Sequence, residues 1–526
     1  MAADRIGFDG QGDGSALGHD PAGPGPVVSL GPGWLLAAGL ADAVPVTARG
    51  EVAPLGAGDE TVILGDGERI DLLQLDDGND TVTLTGDAQI RVIDVAGGVN
   101  SVTTGGTRIA SLLSHAGVNT VAIGSGGAGF VHLTGEEGGG ALQTVTVAGH
   151  LDRLRIADAN WGKVTVDAAG GIARAEFSDG ADWLSVTGRV DDADMGAGGD
   201  TVRLEDGGRA ESIRSRSGAD LVDLKGDASA EDILTGLGND TVRLEGTGSV
   251  ASVATHEGND AVYLGRASVG RLDLGTGDDL LWLSGFAGKQ AVEGGAGSDR
   301  IDASLMASAV TVALDGSGGG LRATGFEDLR GSAFGDLLTG DAAVNRISGA
   351  DGNDRIKGGG GGDFLTGNKG FDLIEGGNGN DTVSGGTGFD TLDGGEGNDI
   401  LNGDSGQDTI LGGGGNDRLS GGDSDDLLSG GNNADTLTGG TGDDNLSGGA
   451  GYDVFAFDLD SGYDRITDFD LLRDTILIDG VADLSGITFT EAGQSSLTRL
   501  QFGASTVVLF GVSMTELQED GHFLFV

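Results

Sequence analysis

Aspartate recurs every nine residues in one stretch of the chain. From position 336 to position 453 the step is fixed, and thirteen of the fourteen positions are Asp, the exception being Asn345. Two residues after each position the chain has an apolar residue, from Leu338 to Phe455. Glycines precede the Asp, as in "GGEGNDILN" from Gly394 to Asn402. Carboxylates at a fixed spacing among glycines are candidate metal ligands.

The spacing predicts how these carboxylates are positioned. A short apolar-centred strand and a glycine-rich turn fill nine residues, so two units complete one coil of 18 residues. Stacked strands lie about 4.8 Å apart, which places aspartates of successive coils close together. Two bare carboxylates at about 5 Å repel by about 3 kcal/mol at an effective dielectric of 20. The stack should therefore need a cation in order to close.

The donor set favours calcium among the cations. Carboxylates and backbone carbonyls with no His or Cys nearby form a hard oxygen environment, which suits Ca²⁺ better than zinc or copper. Mg²⁺ is disfavoured because it holds its waters and requires octahedral geometry. The alternative is that Gly-Asp pairs make solvated tight turns, as they do in many β proteins. Fourteen units in one register favour calcium.

These residues resemble the RTX (repeats-in-toxin) nonapeptide G-G-x-G-x-D-x-U-x, where U is a large apolar residue. The resemblance covers residues 331–457, with an outlying unit "GGAGSDRID" from Gly294 to Asp302. It implies a calcium-loaded parallel β-roll in which the Asp and nearby glycine carbonyls hold the ions. It also implies export by the type I secretion machinery, directed by an uncleaved C-terminal signal, and an extracellular location.

The resemblance assigns candidate ligands by position. The carboxylate candidates are Asp299, Asp336, Asp354, Asp363, Asp372, Asp381, Asp390, Asp399, Asp408, Asp417, Asp426, Asp435, Asp444 and Asp453. The carbonyl candidates are Gly359, Gly361, Gly377, Gly379, Gly386, Gly388, Gly395, Gly397, Gly413, Gly415, Gly440, Gly442, Gly449 and Gly451. Weaker sites are expected where Asn345 lacks the charge and where Ser424 and Asn433 replace a glycine.

The composition agrees with a cation-binding chain. Acidic residues number 83 against 30 basic ones, for a formal net charge of −53. This charge repels nucleic acid and anionic membranes. Apolar residues make up 37% of the chain and are regularly spaced, which favours a folded chain with neutralised acids over a disordered one. No cysteine is present, which excludes disulfides and thiolate sites.

A second, looser repeat precedes the nonapeptides. At steps near 20, Asp or Asn comes two residues before an apolar residue, from Asp80 to Asp299. Fixed periods of this size predict a solenoid. All six prolines lie in the first 54 residues, and the stretch "VVSLGPGWLLAAGL" is too broken for a signal peptide or a transmembrane segment.

The predicted fold class is therefore all-β. We expect a leader or cap at 1–54, a parallel β-solenoid with two strands per coil at 55–293, and a transition at 294–330. A calcium-binding parallel β-roll follows at 331–457, and a β cap with the secretion signal at 458–526.

No catalytic motif accompanies these repeats. The sequence has neither H-E-x-x-H nor G-x-S-x-G, and its six histidines are scattered. The favoured function is a secreted, non-catalytic calcium-binding protein with a surface, matrix or adhesion role. The alternative is a polysaccharide lyase or epimerase that uses a groove of the solenoid, where the chain is irregular between Asn119 and Asp182. Its candidate residues are Trp161, Trp183, Trp282, Arg153, Arg155 and Lys163.

Overall fold

The computed structural model describes residues 28–29, 58–65, 69–86, 88–135, 142–157, 161–285, 290–491, 497–517 and 522–525. Nearly all regular structure in these residues is β-strand. The chain divides into two compact units, Met1–Gly270 and Arg271–Val526. The expected leader lies outside the described residues, apart from a two-residue strand, Val28–Ser29.

The first unit is a parallel β-solenoid built from two sheets. The strands of one sheet are Val28–Ser29, Thr61–Leu64, Thr81–Leu84, Val99–Thr104, Val118–Ile123, Leu142–Val147, Trp161–Val166, Trp183–Val186, Thr201–Leu204, Leu221–Leu224, Thr241–Leu244 and Ala261–Leu264. The strands of the other are Arg69–Leu75, Gln89–Val95, Ile109–Ser114, Ala128–Thr134, His150–Ala157, Gly171–Glu176, Arg189–Asp194, Arg209–Arg214, Ser229–Leu237 and Ser249–Glu257, and Ser268–Thr276 crosses the unit boundary. The predicted parallel solenoid is confirmed.

Register in the first unit follows the repeat. Val202 lies beside Val222, and Val222 lies beside Val242, so equivalent apolar residues stack from coil to coil. All three are fully buried. In the short strands Thr201–Leu204 and Thr241–Leu244 alternate residues are buried, as expected for a period of two. The core is therefore a column of small apolar side chains rather than a broad layer.

The irregular spacing after Asn119 comes from coils of unequal length. Gln143 pairs with Asn119 in register, although 24 residues separate them, and Gly162 pairs with Gln143. The side chains of Asn119 and Gln143 are joined by a 2.8 Å hydrogen bond. Gln143 and Gly162 therefore occupy positions that hold Asp or Asn in the neighbouring coils, which hides the repeat from a search for acidic residues.

The second unit also contains two parallel sheets. One consists of Leu280–Leu283, Arg300–Asp302, Asp328–Arg330, Arg346–Asp351, Phe364–Lys369, Thr382–Thr387, Ile400–Ser405, Arg418–Asp423, Thr436–Thr441, Val454–Phe457, Thr475–Ile478 and Phe523–Phe525. The other consists of Gln290–Ala296, Thr311–Ala313, Leu321–Thr324, Leu337–Thr339, Arg355–Gly360, Leu373–Asn378, Thr391–Glu396, Thr409–Gly414, Leu427–Asn432, Asn445–Ala450, Tyr463–Ile466, Thr488–Glu491, Leu497–Phe502 and Ser505–Phe510.

The nonapeptides form the predicted β-roll. Val383 lies beside Leu401, and Leu392 lies beside Ile410, so each coil takes 18 residues with one strand in each sheet. These four side chains are at most 1% exposed. Each nine-residue unit thus contributes one large apolar side chain to the interior. Because each unit buries only one large apolar side chain, the stability of a coil also depends on the interactions made in its turns.

The end of the second unit departs from the parallel pattern. Leu497–Phe502 pairs antiparallel with both Thr488–Glu491 and Ser505–Phe510. A short 3₁₀-helix, Leu484–Gly486, and one turn of α-helix, Met514–Leu517, complete the described secondary structure. None of the described helices is long and apolar enough to cross a membrane. The expected β cap is present, whereas the domain boundaries at 54, 293, 330 and 457 stay predictions.

Candidate metal centre

The aspartates of the β-roll form two hydrogen-bonded ladders. The backbone N–H of Asp381 donates to Oδ1 of Asp399 at 2.8 Å, and the N–H of Asp399 donates to Oδ1 of Asp417 at 2.8 Å. The same bond links residues 18 positions apart on both edges of the roll, with donors from Asp336 to Asp435 that include Asn345. One oxygen of each carboxylate thus holds two coils together, and the 18-residue period is what brings the pair into contact.

The second carboxylate oxygen is buried without a partner. Asp399 is 1% exposed, yet its Oδ2 has no hydrogen bond. The same holds for Asp299, Asp354, Asp363, Asp372, Asp381, Asp390, Asp408, Asp417, Asp426, Asp435, Asp444 and Asp453. Leaving a buried polar group unsatisfied costs about 1–3 kcal/mol, and more when it is charged. So many unpartnered oxygens in two regular rows indicate that a ligand completes them.

Asp336 differs from the other predicted ligands. Its Oδ1 accepts hydrogen bonds from the Val310 N–H at 2.7 Å and from the Ser332 hydroxyl at 2.8 Å, and its Oδ2 accepts from the Ser332 N–H at 2.5 Å. The protein therefore already satisfies both oxygens, which makes Asp336 the least suited of the predicted carboxylates to bind an ion.

Glycine keeps the space beside each free oxygen open. A Cβ atom on Gly394 would lie 2.5 Å from Oδ2 of Asp399 and 2.6 Å from the carbonyl oxygen of Gly412, one coil away. A Cβ on Gly376 would lie equally close to Oδ2 of Asp381 and to the carbonyl oxygen of Gly394. A carboxylate oxygen and a carbonyl oxygen thus converge where no side chain fits. Two hard oxygen donors in one small space match the chemistry of Ca²⁺.

These first glycines of each unit were not among the predicted ligands. The prediction placed the carbonyl donors four and two residues before the Asp, whereas the structure places Gly394 and Gly412, five residues before, against the carboxylate. The fixed glycine at that position of the sequence motif was the available signal. No group of three His, Cys, Asp or Glu side chains converges within the described part of the chain.

The predicted glycines shape the turn. Gly395 and Gly397 have φ values of 100° and 143°, the left-handed region that side chains disfavour. Thirteen of the fourteen predicted glycines share this conformation, and Gly451 does not. Ser424 and Asn433 keep it with φ values of 86° and 76°, so the turn persists without glycine but under backbone strain. Whether these carbonyls bind the ion stays a prediction.

The ladders extend beyond the nonapeptides. The Asp444 N–H donates to Oδ1 of Asp464 at 3.2 Å, and the Asp453 N–H donates to Oδ1 of Asp474 at 3.0 Å. At the other end, the Asp299 N–H donates to Oε2 of Glu327 at 2.8 Å. Asp464 and Asp474 also come two residues before an isoleucine, but steps of 20 and 21 residues hid them from a nine-residue pattern.

Burial makes these carboxyl groups difficult to ionise. Burial, reinforced by neighbouring carboxylates, raises the pKa of Asp399 to about 6 and that of Asp426 to about 7. The Asp464 pKa rises to about 7 for the same reasons. Backbone hydrogen bonds oppose the shift in each case but do not overcome it. A cation in the turn would offset this cost and keep the groups ionised at neutral pH.

The residues expected to line a solenoid groove lie in different sheets. Trp161 and Lys163 belong to one sheet, next to Trp183, whereas Arg153 and Arg155 belong to the other. Arg153 pairs with Glu176 at 2.7 Å, and the Arg203 guanidinium lies 5.2 Å from the Trp183 ring centroid. Trp282 lies in the second unit. No single groove of the first unit therefore gathers all six.

Known proteins resemble the chain in its repeats. The family model described as the RTX calcium-binding nonapeptide repeat (4 copies) matches residues 323–356, 357–392, 384–419, 393–428 and 420–455. No curated protein matches the chain. A solved structure, that of the extracellular lipase LipA from Serratia marcescens, is 17% identical over 62% of this chain and 45% of the lipase chain, with a TM-score of 0.16. At that TM-score the likeness has no bearing on function.

The family match and the ladders fall on the same residues. RTX nonapeptide repeats bind Ca²⁺, and the buried carboxylate oxygens of the roll fit that ion. Residues 323–455 of the chain form RTX calcium-binding nonapeptide repeats of the hemolysin type.

Proposed function

We propose that the protein is secreted and that its β-roll folds outside the cell when calcium binds, leaving a stiff repeat structure with a non-catalytic surface, matrix or adhesion role. The observation that carries the proposal is the double row of buried, unpartnered Asp oxygens. The sites expected are the carboxylates of those rows, with carbonyl oxygens of the turn glycines beside them.

The difference in calcium concentration between the cytosol and the medium relates the aspartate ladders to an extracellular location. Extracellular calcium modules typically bind at about 10⁻⁴ to 10⁻³ M, a concentration that cytosol does not reach. Inside the cell the roll would stay empty and its carboxylates would repel one another, which keeps the chain unfolded for export by the type I machinery. Outside, the free energy of binding becomes free energy of folding.

The test is a calcium titration of the full chain followed by far-ultraviolet circular dichroism. We expect a weaker β-sheet signal in EGTA than in calcium, a cooperative rise as calcium is added, and no comparable rise with magnesium at equal concentration. A chain equally rich in β-structure in EGTA and in calcium would contradict the proposal. Export is tested separately, by asking whether a strain with a type I exporter releases the intact chain into the medium.

The alternative, a lyase or epimerase acting on extracellular polysaccharide, rests on one observation. Trp161 is 60% exposed on the sheet that also carries Lys163 and Trp183, and an exposed aromatic beside a cation can stack on an acidic sugar. Against it, Arg153 and Arg174 of the other sheet are both paired with Glu176. A panel of uronate and neutral polysaccharides incubated with the calcium-loaded chain tests it, and turnover that a Trp161→Ala variant loses would support it.

A further inference from the structure

The solenoid carries its own row of buried aspartates outside the matched residues. Asp200, Asp220 and Asp240 follow at steps of twenty, and each is at most 2% exposed. The Asp200 N–H donates to Oδ1 of Asp220 at 2.7 Å, and the Asp220 N–H donates to Oδ1 of Asp240 at 2.8 Å. Oδ2 of all three has no hydrogen-bond partner. The row repeats the arrangement of the β-roll on one edge of a 20-residue coil.

The turns before these aspartates share the backbone conformation of the nonapeptide turns. Four and two residues before Asp220, Arg216 and Gly218 have φ values of 68° and 135°. The corresponding pair before Asp240 is Gly236 and Gly238, at 106° and 124°. Arginine in this region is unusual and costs stability. The conformation is thus kept even where the sequence does not provide glycine.

The position five residues before the Asp differs from that of the nonapeptide. It is Ser215 before Asp220 and Thr235 before Asp240, where the β-roll has glycine. Ser215 is fully buried and its hydroxyl has no hydrogen-bond partner. Burial raises the pKa of the Asp240 carboxyl, and the nearby Thr235 hydroxyl lowers it by a smaller amount. The Asp240 turn therefore places a hydroxyl oxygen beside a buried carboxylate, and the Asp220 turn has a buried, unpartnered hydroxyl at the same position.

Neighbouring basic side chains do not neutralise the row. The Arg216 guanidinium forms two hydrogen bonds with Asp194, and Arg214 pairs with Asp192. Both arginine side chains lie outside the core and are paired with carboxylates of the neighbouring strand, Arg189–Asp194. The buried oxygens of the Asp200, Asp220 and Asp240 row remain without a positive partner among the hydrogen bonds and ion pairs of this segment.

We propose that the Asp200, Asp220 and Asp240 turns of the solenoid form a second calcium-binding row, in which the Ser215 and Thr235 hydroxyls supplement the carboxylates. Carboxylate, hydroxyl and carbonyl oxygens are all hard donors, which Ca²⁺ prefers and combines in flexible geometry. The row lies outside residues 323–455, so it extends calcium binding to a unit that the family match does not cover.

The test compares two matched triple variants of the full chain. Asp200→Asn/Asp220→Asn/Asp240→Asn removes the charges but keeps the ladder, because Asn100 already accepts the Asp80 N–H at 3.0 Å in the equivalent position. Asp206→Asn/Asp227→Asn/Glu231→Gln removes three exposed charges of the same unit. Equilibrium dialysis with elemental analysis counts bound calcium, and hydrogen exchange with mass spectrometry follows peptides covering 195–244.

In the parent and the exposed-charge control we expect calcium to slow exchange across 195–244 at least tenfold. The buried triple variant should lose that protection and bind fewer ions per chain. An unchanged ion count in the buried triple variant, or exchange in the parent that does not depend on calcium, would overturn the proposal. A third variant, Asp381→Asn/Asp399→Asn/Asp417→Asn, tests whether calcium acts through the β-roll alone. If this variant also lost the protection while the solenoid variant kept its ion count, calcium would act only through the β-roll and the proposal would be overturned.

Ser215→Ala keeps the test decisive if the triple variant does not fold. Removing an unpartnered buried hydroxyl should leave the calcium-free unit at least as stable, because an unmet hydrogen-bonding group disappears. If that hydroxyl is a ligand, the calcium concentration that half-protects 195–244 rises severalfold. An unchanged midpoint in Ser215→Ala would reject the ligand role.

Discussion

Replacing Asp399 by Asn should make the β-roll more stable without calcium and less stable with it. The carboxylate is buried between Asp381 and Asp417, and Asn can still accept the hydrogen bond that its Oδ1 receives from Asp381. The substitution therefore separates the charge, which a cation needs, from the ladder bond, which the coil needs.

The magnitudes follow from the pKa of the group and from linkage. Burial raises the Asp399 pKa from 3.8 to about 6, and two units at about 1.4 kcal/mol each make ionisation of the empty roll cost about 3 kcal/mol. The neutral amide of the Asp399→Asn variant avoids that cost. In calcium, losing one site removes about 2.7 kcal/mol of stabilisation when the free ion is about 100 times its Kd.

The assay is circular dichroism of the β-sheet signal in EGTA, together with urea unfolding in saturating calcium. A gain of about 2–3 kcal/mol without calcium should give the variant a stronger β-sheet signal than the parent in EGTA, and in calcium the variant should lose a similar amount of free energy of unfolding. Glu396→Gln is the matched control, since Glu396 is exposed in the same turn and changes the charge equally. If Asp399→Asn lowered both the β-sheet signal in EGTA and the free energy of unfolding in calcium, Asp399 would be a structural residue and would not be a calcium ligand.

Three further predictions follow from the same coils. Gly394→Ala places a Cβ 2.5 Å from Oδ2 of Asp399 and should raise the calcium midpoint severalfold in a dichroism titration, whereas Gly319→Ala, which meets no atom within 4 Å, should not; equal effects would contradict the crowding argument. Leu401→Ala should cost about 2–5 kcal/mol in calcium-bound urea unfolding, while Leu472→Ala, at a position 89% exposed, should cost less than about 0.5 kcal/mol. In calcium-free solution the raised carboxyl pKa values stabilise the roll below about pH 4, and this stability is lost as pH rises through about 6–7. The β-sheet signal in EGTA should therefore be greater at low pH than at neutral pH. The opposite trend would be inconsistent with buried carboxyls.

Much of the β-roll could be predicted because the residues that specify it are close together in sequence and recur at a fixed spacing. Asp399 and Leu401 are two residues apart, which puts them on the same face of a strand and its turn, and repetition every nine residues assigns the same roles throughout. The solenoid was predictable in the same way, except between Asn119 and Asp182, where coil lengths of 24 and 19 residues displace the pattern.

Other features depend on contacts between distant coils, which a linear pattern does not show. The free oxygen of Asp399 and the Gly412 carbonyl converge only because 18-residue coils stack in register. Asp464 joins the ladder from a coil of a different length. Trp161 and Arg153 are close in sequence, but they belong to strands of separate sheets.

The sequence by itself determined the all-β repeat, the 18-residue coil and the preference for calcium, because strand periodicity and the oxygen chemistry of Asp and Gly are properties of the residues. Only the tertiary structure decided which oxygen atoms are left without partners. Stacking assigns one oxygen of each ladder Asp to the preceding coil and buries the other beside a glycine, as at Asp399 and Gly394. It also placed Asp200, Asp220 and Asp240 in the same kind of row, because hydrogen bonding between coils does not depend on whether a coil contains 18 or 20 residues.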